Sequence, residues 1–91
     1  MIQTASKSGT TRIGFLLIDN FSMIAFTSAI EPLRMANQLS GEPLYSWSTI
    51  CEEGEAVKCS NGMLVNADYN IKDIDPAEPL DAVVVLSLIH I

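Results

Sequence analysis

Two stretches of this sequence, Arg12–Ile18 (RIGFLLI) and Asp81–Leu86 (DAVVVL), run without a polar residue once past their opening charge. Each is short enough for a β-strand, and neither alternates apolar with polar positions. A strand that is apolar on both faces needs cover on both faces, which is the situation of parallel strands joined by helical crossovers. That requirement shapes the reading of everything between them.

Phe21–Leu39 is the helix expected to provide a crossover, with Ser22 as its N-cap and Gly41 ending it. At 100° per residue Met23, Phe26, Ile30 and Leu33 form one stripe, and Ser22, Ala25, Ala29 and Ala36 form a neighbouring stripe of small residues. Together they make a face wide enough to lie on a sheet. Pro32 removes one hydrogen bond, to the Ser28 carbonyl, and a kink is expected there rather than a break, because the apolar pattern keeps its phase beyond it.

Leu44–Cys51 (LYSWSTIC) reads as a strand with one aromatic face, followed by a Glu52–Glu55 turn. Val57–Cys59 and Met63–Val65 flank Ser60-Asn61-Gly62, the strongest hairpin signal in the chain. Asp68–Ile74 is expected to form one helical turn stopped at Asp75-Pro76, and Pro76 and Pro79 mark a loop before the second apolar strand. Met1–Thr11, rich in Ser, Thr and Gly, reads as a flexible tail. The order strand, helix, strand, hairpin, short helix, strand defines an α/β, flavodoxin-like fold with a mostly parallel sheet. Such sheets normally hold five or more strands with helices on both faces. Three main strands and one long helix amount to the first half of such a domain.

The formal net charge is −6, and nine of the eleven acidic residues fall between Glu42 and Asp81, against Lys58 and Lys72. This balance argues against a nucleic-acid grip and against a polybasic membrane contact. A solvated acidic face is the main reading of these residues, and an acidic site for a cation the lesser one. No apolar run approaches the roughly 20 residues of a membrane-spanning helix. The first eleven residues hold no apolar stretch that would serve as a secretory signal, and two cysteines suit a reducing, cytoplasmic setting.

Cys51 and Cys59 lie across the Glu52–Glu55 turn and are expected to be core or semi-buried thiols, a disulfide being the lesser alternative. With His90 the only histidine, no zinc set can be assembled. The sequence has no G-x-S-x-G elbow, no G-x-G-x-x-G and no phosphate loop, so neither a catalytic nor a cofactor-binding set is assigned. Ser87 follows a strand but has no glycine beside it, and a triad with His90 would have to form within three residues. Gly14 is expected to permit close packing against its strand. Glu31 and Arg34 can pair across one helical turn. Ile24, Ser28, Glu31 and Met35 share the helix side away from the main stripe, and two apolar residues on a polar face suggest a partner surface, most simply a dimer contact.

The segment RIGFLLIDNFSMIAFTSAIEPLRMANQLSGEPLYSW closely resembles the opening of GlxA-family transcriptional regulators of the AraC type. The residues that carry the resemblance are Ile13–Leu17, Phe21–Met23, Glu31–Asn37 and Leu39–Trp47, with Ser60–Gly62 and the DAVVV strand in agreement. It covers roughly residues 12–85. It implies an N-terminal domain similar to PfpI and class I glutamine amidotransferases, a three-layer sandwich that acts as a sensor and dimerisation module for an unknown small-molecule effector. DNA would be bound only through helix-turn-helix motifs outside this chain. Enzymatic relatives place an acidic residue near the position of Ala25, and their reactive cysteine would lie beyond residue 91, so the resemblance implies no enzyme here. A fragment of a PfpI-class hydrolase or amidotransferase is the alternative, and a free-standing small binding protein a third reading. Leu86–Ile91 (LSLIHI) resembles a translated transposase-adapter sequence and is expected not to be native. A chain with one sheet face uncovered is also expected not to fold stably or bind DNA alone.

Overall fold

In the computed structural model, residues 9–87 are described. Strand β1 (Thr11–Leu17) begins one residue inside the stretch expected as tail, and the Thr10 hydroxyl donates to the Pro43 carbonyl at 2.8 Å. Residues 1–8 of that stretch, and His90 with the other residues after Ser87, lie outside the described part. Helix α1 (Met23–Ser40) follows. Its N-cap Ser22 accepts from the Ala25 amide at 3.2 Å, and Gly41 closes it at φ 71°, a left-handed conformation that glycine adopts without steric cost. The helix runs through Pro32 as one element.

Strand β2 (Tyr45–Cys51) returns parallel to β1, the antiparallel pair β3 (Ala56–Lys58) and β4 (Leu64–Asn66) forms the expected hairpin, and β6 (Ala82–Leu86) lies parallel to β1 on its other side. One expectation is corrected. Asp68–Ile74 is not a helical turn throughout, because Tyr69–Asn70 forms strand β5, parallel to the end of β2, and only Ile71–Asp73 coil into a 3-10 turn. The Asp68 side chain sets this up. Its carboxylate accepts from the Thr49 amide at 2.9 Å, and its own amide donates to the Thr49 carbonyl at 2.9 Å, which draws the following residues alongside β2.

The sheet order is β5-β2-β1-β6, all parallel, with β1 central. This is the flavodoxin-like arrangement, in which the chain moves to one side of its first strand and then to the other. Alternation along each strand separates two faces. One face presents Phe15 and Leu17 of β1, Cys51 of β2 and Leu86 of β6 to Phe26 of α1, with Met23, Ala25, Ala29, Ile30 and Leu33 packed around them. The helix stripe read from the sequence is therefore the stripe that lies on the sheet. Phe26 meets Phe15 and Phe21 edge-on at centroid distances of 5.8 and 5.7 Å. Leu86, the first residue of the stretch expected to be non-native, is buried in this core, and its carbonyl accepts from the Ile18 amide at 3.0 Å.

The opposite face is covered more sparsely. A Cβ at Gly14 would stand 2.6 Å from Leu80 Cδ1 and 2.7 Å from Ile50 Cδ1, so glycine here lets the connection before β6 lie close on the sheet. Asp81 anchors the end of that connection: its carboxylate accepts from the Arg12 amide, and its amide donates to the Arg12 carbonyl, each at 2.7 Å. Among the described residues this cover stops short of the outer strand. Leu16 and Val85 are register partners, as are Gly14 and Val83, and both valines are more than half exposed.

Candidate functional site

The outward side of α1 carries the four residues singled out in the sequence. Ile24, Ser28, Glu31 and Met35 are all exposed, Ile24 at 79% and Met35 at 48%. Leu39, at 82%, lies four residues beyond Met35 and extends the same ridge toward the end of the helix. That residue was missed by the sequence reading, although the i, i+4 spacing from Met35 was the available signal. Glu31 and Arg34 make a two-point pair, with Nε to Oε2 at 2.7 Å and Nη2 to Oε1 at 3.0 Å, and Arg34 also donates to Gln38 at 3.0 Å. The hydrogen bond from Arg34 holds the Glu31 carboxyl below its ordinary value, with the guanidinium charge adding to the effect. The bond to Glu31 raises Arg34 in return. Both side chains are about half exposed, so the pair organises a solvated surface and is worth little as stabilisation.

A second feature lies at the carboxyl ends of β1 and β2, where open parallel sheets commonly bind ligands. Leu17, Asp19, Glu52, Glu53, Ala56 and Val57 line a cleft of about 390 Å³. The hairpin forms one wall. It is tied to the sheet by Asn20, whose amide donates to the Lys58 carbonyl at 2.7 Å, and by the Ser60 amide, which donates to the Phe21 carbonyl at 2.8 Å. Asn20 turns the chain there at φ 66°, a left-handed conformation that Asn tolerates better than most residues. The cleft brings part of the acidic population together, yet among the described residues no group of three His, Cys, Asp or Glu is placed to hold a metal ion.

Both cysteines are buried free thiols. Cys51 Sγ points to the Gly54 carbonyl at 3.3 Å, and Cys59 Sγ donates to Asn61 Oδ1 beneath the hairpin turn. Ala25, at the position where enzymatic relatives would carry an acid, packs its methyl group against the core. No helix among the described residues is long and apolar enough to cross a membrane.

The fold and its sites define an α/β unit of flavodoxin-like order, and solved structures share it. The chain superposes on an AraC family transcriptional regulator from Pseudomonas putida with a TM-score of 0.71 at 28% identity, over 84% of this chain and 46% of that one. A DJ-1 superfamily protein from Agrobacterium tumefaciens shares the fold at a TM-score of 0.55 and 23% identity, over 85% of this chain and 37% of that one. In sequence, the chain is 49% identical over 73 residues to the HTH-type transcriptional regulator GbdR of Pseudomonas aeruginosa, covering 80% of this chain and 19% of that protein. It is 42% identical over 65 residues to the HTH-type regulator GlxA of Rhizobium meliloti, covering 71% and 20% respectively. It is 41% identical over 66 residues to the HTH-type regulator CdhR of Pseudomonas aeruginosa, covering 72% and 19%. No family model matches the chain. Over the matched region the chain is a homologue of these AraC-family regulators, and it spans about a fifth of their length.

Proposed function

We propose that this chain is the N-terminal part of the sensor and dimerisation domain of an AraC-type transcriptional regulator, working in the cytoplasm. The observation that carries the reading is the 49% identity to GbdR, sustained over 73 residues. In this reading the unit responds to a small-molecule effector, and DNA is bound by a helix-turn-helix part that these residues do not include. The charge supports that division, since a net charge of −6 opposes the approach of phosphates. The outer ridge of α1, with Ile24, Ser28, Glu31 and Met35, is the self-association surface. The unit is not a hydrolase. Ala25 provides no acid, Ser87 stands on no elbow, and both thiols are buried away from solvent.

The test is a chimera in which residues of this chain replace the 73 matching residues of GbdR. It is expected to fold, to retain a DNA fragment that native GbdR retains in a mobility shift, and to drive a reporter from it. A chimera with native-like circular dichroism that neither binds nor activates would overturn the reading.

A further inference from the structure

Of the five asparagines in the chain, Asn61 alone is followed by glycine. The turn of the β3–β4 hairpin requires that glycine, because Gly62 sits at φ 91°, a left-handed conformation that glycine adopts without steric cost. The same choice leaves the Gly62 nitrogen with no side chain beside it, and among the described residues open space lies where a Cβ would stand. Ser60, Asn61 and Gly62 are all exposed among these residues, so water reaches the Asn61 amide. A side-chain amide next to an unshielded main-chain nitrogen is open to attack by its own backbone.

The closed hairpin engages both reacting groups in other bonds. The Gly62 amide donates to the Cys59 carbonyl at 3.0 Å, and the Cys59 amide donates to the Met63 carbonyl at 2.8 Å. Asn61 Oδ1 accepts from the Met63 amide at 3.0 Å and from the thiol of the fully buried Cys59. A nitrogen whose proton is held in a hydrogen bond gives that proton up less readily. A side-chain carbonyl fixed by two donors is not free to swing onto the neighbouring nitrogen. Ring closure at this site therefore requires the hairpin to open, the kind of local opening that costs less than global unfolding.

We infer that Asn61–Gly62 is a site of spontaneous succinimide formation, kept shut by the hairpin and released when it opens. The Gly62 nitrogen, having lost its proton to solvent, adds to Asn61 Cγ. The Cγ–Nδ2 bond breaks and ammonia leaves, which closes the succinimide ring. Water then opens the ring at one of its two carbonyl carbons. Opening at Cγ gives aspartate, and opening at the main-chain carbon gives isoaspartate, whose backbone runs through Cβ and Cγ. Either product adds one negative charge to the net −6. Isoaspartate also lengthens the turn by a methylene, which breaks the register of the Cys59–Met63 bond and of the Ser60 amide's bond to the Phe21 carbonyl. That second bond ties the hairpin to the sheet, and Ala56 and Val57 of the same hairpin line the acidic cleft. Conversion is thus a one-way covalent switch that loosens one wall of the cleft.

The test incubates the GbdR chimera at mildly alkaline pH, with and without urea, and follows the Asn61 peptide by mass and by isoaspartyl methylation. Conversion is expected to be roughly tenfold or more faster in urea, the ratio that an opening free energy of at least about 1.4 kcal/mol sets. Equal rates overturn the inference, and so does an Asn61 that stays intact in urea. Cys59→Ala, which removes the thiol donor, is expected to speed conversion several-fold without urea, whereas Cys59→Ser, which keeps a donor, stays near the parent rate. A Cys59→Ala rate equal to the parent's overturns the part given to the thiol. Amide exchange reads the consequence. The Cys59 and Ser60 amides are expected to lose protection in the isoaspartate form and to keep it in Asn61→Asp, which adds the charge without lengthening the chain. An isoaspartate form with both amides still protected overturns the switch. None of these readouts depends on DNA binding, so this inference and the regulator reading fail independently.

Discussion

The side chain of Asn37 grips the backbone of Tyr45 at two points: Nδ2 donates to the Tyr45 carbonyl and Oδ1 accepts from the Tyr45 amide, both at 2.9 Å. One amide group thus replaces a strand neighbour for the first residue of β2 and fixes the end of α1 to the start of that strand. Asn37→Leu leaves both Tyr45 groups without these partners. With about 1 kcal/mol per net hydrogen bond, and more for a group left unsatisfied, the loss is expected to reach about 1–3 kcal/mol. Asn37→Asp retains the acceptor but turns a carboxylate oxygen toward the Tyr45 carbonyl, so it is expected to be no milder. Urea midpoints of the three versions, each carried in the GbdR chimera, check both statements.

Gly14 is expected to resist even the smallest substitution. The Cβ of Gly14→Ala would meet Leu80 Cδ1 at 2.6 Å and Ile50 Cδ1 at 2.7 Å, closer than carbon atoms approach. Overpacking of this kind costs about 1–3 kcal/mol. Because both obstacles are ends of side chains, Leu80→Ala in the same chain should recover part of the loss. A double-mutant cycle measures that coupling.

The outline of this fold was legible because its signals are long. An eighteen-residue helix with one apolar stripe shows its period, and two strands apolar on both faces point to a parallel sheet. Strand β5 was not legible, because two residues carry no period and its placement depends on the Asp68 bonds to Thr49, nineteen positions away. The α1 ridge was readable from spacing alone, up to the omission of Leu39. The acidic cleft was not, since Asp19 meets Glu52 and Glu53 only through the parallel pairing of β1 with β2. Nor does a helical Asn reveal that its partner is the backbone eight residues on.

The Glu31–Arg34 pair predicts a pH dependence of definite sign. The folded-state pKa of Glu31 lies below its ordinary 4.5. A depressed carboxyl contributes stability that is present above the unfolded-state value and is lost as pH falls through the folded-state value. The difference in helicity or stability between the chain and Glu31→Gln is therefore expected at neutral pH. It should shrink as pH drops below about 4.5 and vanish once the carboxyl is protonated. Arg34, raised from an already high value, stays charged throughout. Added salt should weaken the difference at neutral pH, as for any exposed pair. A difference that grows toward acid pH would contradict this assignment.

In the GbdR chimera, Met35→Asp is expected to shift the protein toward monomer while preserving its circular dichroism. Met35 is half exposed on the helix and contributes nothing to the core cluster, so its replacement should not unfold the unit. At the centre of an interface, however, an aspartate would be desolvated without a partner, a change that removes several kcal/mol of association at about 3–5 kcal/mol for an uncompensated buried charge. Sedimentation reads the outcome, and an unchanged dimer would reject the α1 ridge as the contact.

Residues 1–91 alone are expected to bind no DNA, even at low salt. Affinity for the duplex without sequence preference comes from lysines and arginines that displace counterions from phosphates. The whole chain has five such residues against eleven acids. Among the described ones, Arg34 is held by Glu31, and Arg12 Nη1 donates to the Pro79 carbonyl at 3.2 Å. Lys58 stands on the hairpin strand β3 and Lys72 in the 3-10 turn, on different elements, with acids on the neighbouring segments. Among the described residues that placement forms no stripe of positive charge, and the net charge of −6 repels the duplex at a distance. A mobility shift at about 50 mM salt, a concentration at which even weak phosphate contacts are strong, is the check. Retention that falls steeply with added salt would show a phosphate-binding surface and overturn the expectation.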